Sequence, residues 1–182
     1  MYVEPSQRLG RNEEKRVYDQ HENSPDDAGY RRFLSRLAEP LCRYLPTPAH
    51  GLDFGCGPGP TLSVMLQEKG YTMDVFDPIY YPALRWQTHC YDFITATEVI
   101  EHVFDPAAVL PALCQSVRPG GVLALMTKRV QDRDRFAAWH YKNDPTHVCF
   151  YSVSTFDWLA KHLSARCQIV ADDVVFFFKQ EL

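Results

Sequence analysis

The chain has no Cys-x-x-Cys pair, no long apolar run, no surplus of basic residues and no internal repeat, and each absence removes a class of protein. Its six cysteines, Cys42, Cys56, Cys90, Cys114, Cys149 and Cys167, are scattered. That pattern suits neither a zinc knuckle nor a disulfide scaffold, so a reducing, cytoplasmic location is expected. No stretch approaches about 18 consecutive apolar residues, so no membrane span is expected. Residues 1–19 are polar and of mixed charge, without the apolar centre of a signal. A formal net charge of -4 and a sequence pI of 5.9 set the chain apart from domains that grip phosphate backbones, and nucleic acid is not the expected partner. What is present is ordinary for one globular domain: 182 residues, 46% hydrophobic and 23% charged. Such a chain buries roughly 70% of its unfolded surface and folds without a disulfide or structural metal. Aromatics, at 13%, are its one excess.

Residues 1–23 carry no sustained apolar period and read as an arm, leaving 24–182 as a single domain. Ser24-Pro25-Asp26-Asp27 reads as a helix start, followed by Tyr30, Phe33, Leu34, Leu37 and Leu41 at helical spacing, with Pro40 expected to kink or end the helix. Leu52 to Phe54 reads as a buried strand, and Pro60 to Lys69 as a helix stopped by Gly70. Further strands are expected at Thr72 to Phe76, Phe93 to Thr97 and Val122 to Met126. A helix from Asp105-Pro106 towards Val117 is distorted by Pro111 and closed by Gly120-Gly121. Ser154 and Asp157 suggest a capping box for a helix through Leu163, and Gln168 to Lys179 reads as two strands joined at Asp172-Asp173. Strands alternating with helices give an α/β domain, a three-layer sheet mainly parallel with an antiparallel hairpin at its C-terminal edge.

The chemistry gathers at the first strand-loop-helix unit, Asp53-Phe54-Gly55-Cys56-Gly57-Pro58-Gly59. In a sheet of this kind the ligand lies beyond the carboxyl ends of the strands, and three alternate glycines let backbone pass close beneath it. A tight turn that binds nothing would need one glycine. Pro60 stands where a dinucleotide loop wants its third small residue, which argues against NAD. Asp77 follows Gly55 by 22 residues at the end of the second strand, where a carboxylate can accept from two vicinal ribose hydroxyls. Its bland alternative is a turn aspartate before Pro78.

These residues resemble the Asp-x-Gly-x-Gly-x-Gly pattern of class I S-adenosylmethionine-dependent methyltransferases, which have a Rossmann-like fold. The likeness continues through Tyr91 to His102, similar to that family's fourth-strand motif, and through Val117-Arg118-Pro119-Gly120-Gly121, similar to its turn into the next strand. Glu98-Val99-Ile100-Glu101-His102 is most like the ubiquinone-biosynthesis-like group, with types 11, 12 and 23 of the small-molecule methyltransferases. The resemblance implies S-adenosyl-L-methionine as cofactor, with Asp53, Gly55, Cys56, Gly57, Gly59, Asp77, Thr97 and Glu98 around it. Only fifteen residues separate Asp77 from Phe93, so the sheet is expected to be abbreviated there, by a loop or by Trp86 and its neighbours standing in as the adenine wall.

If 98–102 is helical, Glu98 and His102 share a face, and with Glu101 they form the set that would hold a divalent cation, as in some relatives. The favoured expectation is no metal, with Glu98 lining the cofactor site and Glu101 and His102 fixing the next loop. His102, His140 and His147 are the candidate bases for methyl transfer, since histidine titrates near neutrality. Trp139, Tyr141 and His147 are the candidate acceptor-binding residues, in a stretch whose alternative is a plain hydrophobic lid. In the arm, Arg16, Tyr18 or His21 could reach the methionine carboxylate, whereas Arg31, Arg32 and Arg36 read as solvated. The function implied is methyl transfer to a small molecule. The rivals are an RNA or protein methyltransferase and a non-catalytic cofactor-binding regulator.

Overall fold

A computed structural model describes residues 1–20 and 23–181. Its six-stranded sheet is built from β1 (His50–Phe54), β2 (Thr72–Phe76), β3 (Tyr91–Thr97), β4 (Val117–Met126), β7 (Ala165–Ile169) and β8 (Val174–Lys179), in the order β2-β1-β3-β4-β8-β7. The first four are parallel, and β8 and β7 run antiparallel at the end. Side chains alternate across a strand, so each strand feeds two cores. Val174 and Phe176 enter the core under α2 (Ala28–Tyr44) and α3 (Thr61–Gln67), whereas Val175 and Phe177 enter the core under α4 (Pro106–Ser116) and α6 (Val153–His162). The result is the three-layer α/β architecture expected.

Helix α2 begins three residues later than the Ser24-Pro25 reading, because the Asp27 carboxylate accepts from the N–H groups of Gly29 (2.7 Å) and Tyr30 (3.1 Å). Pro40 does not end it, and α4 runs through Pro111 to Ser116, as expected. In both, the buried side is continuous past the proline, through Leu37, Ala38 and Leu41 in one and Leu110, Leu113 and Cys114 in the other. Tertiary burial holds these helices where the missing N–H would break an isolated one. The α6 cap is Ser152 with Thr155, two residues before the expected pair. Gly120-Gly121 lies inside β4 rather than before it.

The segment between β2 and β3 contains no strand, but a turn closed by an isolated bridge between Asp77 and Tyr81 and a 3-10 turn over Leu84–Thr88. The arm carries more structure than its sequence suggested: α1 (Arg11–Tyr18) forms, and Tyr2 bridges to Cys149. Two short pieces also went unforeseen, β5 (Arg129–Val130) paired in parallel with β6 (Tyr151–Ser152). The single-turn α5 (Arg133–Ala137) follows β5. Arg31 and Arg36 are not simply solvated, since Arg31 pairs with Glu68 and Arg36 with the buried Asp173.

Candidate active site

Beyond Phe54 the chain must reverse beneath the sheet's carboxyl edge, and Gly55 (φ 73°) and Gly57 (φ 65°) adopt the left-handed backbone this requires. The loop is held from the second strand: Phe76 O accepts from the N–H of Gly55 (2.7 Å) and of Cys56 (3.2 Å). Asp77 is buried, and one of its oxygens accepts from Gly57 N–H (3.1 Å) while the other accepts from Ile79 (2.8 Å) and Tyr80 (3.0 Å). The carboxylate therefore fixes the glycine loop as well as facing the ligand space. Asp53, at the end of β1, accepts from Thr95 Oγ1 (3.0 Å) and Ser63 Oγ (3.3 Å), and burial pushes its pKa up to about 6.

A cavity of about 1100 Å³ opens over this loop. Asp53, Gly55, Cys56, Gly57, Gly59, Asp77, Thr97 and Glu98 all line it. Burial raises the Cys56 thiol pKa, so the side chain stays a neutral wall. Trp86 takes the place of the missing strand layer: it packs against Phe54 (5.3 Å between centroids) and Phe76 (5.7 Å), lines the cavity, and its buried Nε1 has no hydrogen-bond partner among the described residues. Tyr18, Arg11 and Glu14 of α1 form the opposite wall. Arg16 does not line the cavity, and His21 lies outside the described residues.

At the far end of the same cavity the 98–102 stretch is not α-helical. Glu98 has φ 51° and ends the strand, then a 3-10 turn over Ile100–His102 follows. A non-glycine residue in this conformation costs of order 1–3 kcal/mol and is held only where its surroundings over-determine it. The cation set therefore changes: the donors that gather within 4.8 Å of one another are Glu101, His102 and His147, rather than Glu98, Glu101 and His102. His147 Nδ1 lies 2.7 Å from Tyr141 O and His102 Nδ1 lies 3.0 Å from Thr146 O. A carbonyl accepts only from N–H, so each ring carries a proton on Nδ1, and in its neutral form the lone pair is on Nε2, the arrangement metal-bound histidines adopt. His147 Nε2 is also 3.8 Å from Asp144 Oδ2. The Tyr141 hydroxyl donates to Glu101 and lies 3.2 Å from Glu98 Oε2. Burial raises the Glu98 carboxyl to about 7, and burial together with the Glu98 charge raises Glu101 to about 8. Burial also holds His147 below the usual histidine value, which keeps it neutral near pH 7.

Of the other residues picked from sequence, His140, Tyr141 and His147 line the cavity. Trp139 does not: its ring stacks behind Tyr141 (4.9 Å) and beside Phe136 (6.1 Å) and Phe150 (6.3 Å), so it supports the wall instead of forming it. Sequence reasoning missed Asn23, whose carbonyl accepts from Thr61 Oγ1 (3.1 Å) across the loop, and Lys128, whose Nζ lies 5.0 Å from the Tyr141 ring centroid. Neither stands in a local pattern that could have flagged it.

The methyltransferase domain family matches residues 20–165. A ubiquinone biosynthesis O-methyltransferase from Citrobacter koseri is 34% identical over 91 residues, which is 50% of this chain and 37% of that protein. The chain thus spans little more than a third of such a relative. Among solved structures, an O-methyltransferase family protein from Burkholderia thailandensis superposes with a TM-score of 0.59 at 13% identity, covering 92% of this chain and 63% of that one. The methyltransferase CalO1 of calicheamicin biosynthesis, in its S-adenosylhomocysteine-bound form, gives 0.56 at 12% identity, covering 93% and 59%. Strand order and loop geometry define the Rossmann-like fold of class I methyltransferases. The chain belongs to the methyltransferase domain family, and among its structural neighbours CalO1 holds S-adenosylhomocysteine. The cradle fits that group: Gly55 and Gly57 bring bare backbone to the cavity, Asp77 offers a carboxylate, and Trp86 offers an indole face and an unspent N–H. Among the described residues no helix is long and apolar enough to cross a membrane.

Proposed function

We propose that the chain transfers the methyl group of S-adenosylmethionine to an oxygen of a small molecule, seated against Tyr141, His140 and His147. The observation that carries this reading is the shared cavity. At about 1100 Å³ it exceeds the roughly 300–1,000 Å³ usual for one ligand, and the glycine loop and the histidine cluster wall the same space. Asp77 is assigned the ribose hydroxyls, Trp86 the adenine face, and Asp53 the support of the loop from beneath. Methyl transfer is an in-line displacement at the sulfonium carbon, so holding the acceptor opposite the leaving sulfur supplies much of the rate.

The gathering of Glu101, His102 and His147 favours a divalent cation at the acceptor end. Two imidazoles and a carboxylate suit such an ion. When bound, it supplies positive charge that favours the deprotonated, nucleophilic form of an acceptor hydroxyl. The chain's own residues hold the acceptor and exclude water: Tyr18 packs edge-on against His102 (5.5 Å) and closes the site from α1.

The test is transfer of a labelled methyl group from S-adenosylmethionine to a panel of phenols and other hydroxylated small molecules, with and without chelator. The expected outcome is labelling of at least one acceptor, lost with EDTA and restored by Mn²⁺. Labelling indifferent to EDTA would remove the cation and leave His147 or His102 as the base. Labelling of RNA or protein in a cell extract, with none of any small molecule, would remove the acceptor class.

A further inference from the structure

The cation reading, on which this inference rests, leaves open what holds one carboxylate and two imidazoles in place, beside a second carboxylate, before an ion arrives. Like-charged groups close together repel, and the buried Glu101 lies beside the half-buried Glu98 in the loop after β3. One side chain from a distant part of the chain touches three of the groups concerned. The Tyr141 hydroxyl donates to Glu101 Oε1 and lies 3.2 Å from Glu98 Oε2, while the Tyr141 carbonyl accepts from His147 Nδ1. The hydroxyl is itself 3.3 Å from Thr127 Oγ1, and the ring lies 4.1 Å from that of His147.

The distribution of oxygens is the informative part. Each carboxylate has one oxygen against the Tyr141 hydroxyl, and the other, Glu101 Oε2 and Glu98 Oε1, is buried without a hydrogen-bond partner among the described residues. A buried acceptor left without a donor is costly, and native structures keep few of them. Here both carboxylates meet a single phenol, and Glu101 is the one whose oxygen gathers with His102 and His147.

We propose that Tyr141 is a positioning residue for the cation: its hydroxyl fastens Glu101 Oε1 so that Oε2 is presented to the ion, it holds Glu98 beside that carboxylate, and its carbonyl sets the tautomer and direction of His147. It does so without touching the ion. This is a different task from the acceptor contact that its place in the cavity wall suggests, and it makes the 3-10 turn over His140–Asn143 part of the cation site. Partners of this kind are worth about 10- to 100-fold in metal affinity.

The test compares wild type with Tyr141→Phe, which keeps the ring and the backbone carbonyl and removes only the hydroxyl. Binding of Mn²⁺ alone is followed by electron paramagnetic resonance, the visible spectrum of bound Co²⁺ reports the ligand set, and S-adenosylhomocysteine affinity is measured on the same samples. The expected result is an Mn²⁺ affinity reduced about tenfold or more and a changed Co²⁺ spectrum, with S-adenosylhomocysteine affinity within about threefold of wild type. Equal Mn²⁺ affinity and an unchanged spectrum would overturn the role of Tyr141 and leave the cation standing. No Mn²⁺ binding to wild type would overturn the cation itself, and this inference with it. Should Tyr141→Phe lose S-adenosylhomocysteine binding as well, Thr127→Val decides. It keeps the phenol and removes one of its neighbours, so weaker Mn²⁺ binding supports the proposal and unchanged binding overturns it.

Discussion

A carboxyl group enclosed at the end of a strand keeps its proton to higher pH than one in water, and Asp53 is the case in point. Burial raises its pKa from 3.8 to about 6, although Thr95 and Ser63 both donate to it. The sign of the linkage follows. Between these two values the folded state binds more proton than the unfolded state, so the contribution of Asp53 to stability falls as pH rises from about 4 to about 6 and is level above that. A change of that size in a carboxyl's proton affinity is worth roughly 3 kcal/mol. Urea unfolding of wild type and Asp53→Asn across this range is expected to show a difference that grows in favour of the variant and then levels off. A difference independent of pH would mean that Asp53 is ionised at no cost. At this scale the glycine-loop half of the cavity is legible in the sequence, because Asp53, the three glycines and Asp77 all fall within one contiguous strand-loop-helix-strand unit. The acceptor half is less so: His147 stands 45 residues from His102, and only tertiary folding brings their ring centroids to 4.7 Å.

Elements meet most tightly where the approach to α2 crosses the glycine loop. A Cβ placed on Gly59 would lie 2.0 Å from Asn23 O, an atom of backbone that cannot rotate aside. Gly59→Ala is therefore expected to push residues 23–27 off the loop and to break the Thr61 to Asn23 hydrogen bond. The cost is about 1–3 kcal/mol of stability, with a matching loss of S-adenosylhomocysteine affinity. Calorimetric titration and urea melts measure both, and a variant that binds and melts like wild type would show that the crossing is loose in solution. Elements also show why part of the fold escaped sequence reading. Pro40 reads as a kink or a helix end when judged locally, and only the buried leucines on either side explain why α2 runs on. Helix α1, with no buried residue of its own, left no apolar period to detect.

For the whole molecule, a ligand held by the folded state alone raises its stability by mass action. S-adenosylhomocysteine at a hundredfold excess over its dissociation constant adds about 2.7 kcal/mol. For a chain of this size that is a rise of about 5–10 °C in melting temperature. NAD is expected to add nothing, since Pro60 takes the place of the small residue a dinucleotide loop needs. A larger shift with NAD would overturn the assignment of the cradle. The short turn that replaces a strand after Asp77 has one more consequence, for how copies of the chain behave together. It leaves β2 as the last strand on its side of the sheet, with a strand partner in β1 alone among the described residues. Outer strands invite their like to zip onto them. The middle residue of Thr72–Phe76 is Asp74, so two such strands meeting head to tail about their centres would set one negative charge directly against its twin, about 5 Å apart. Trp86 packs where no strand follows β2, and a single aspartate at the middle of that margin is expected to oppose the recruitment of another copy.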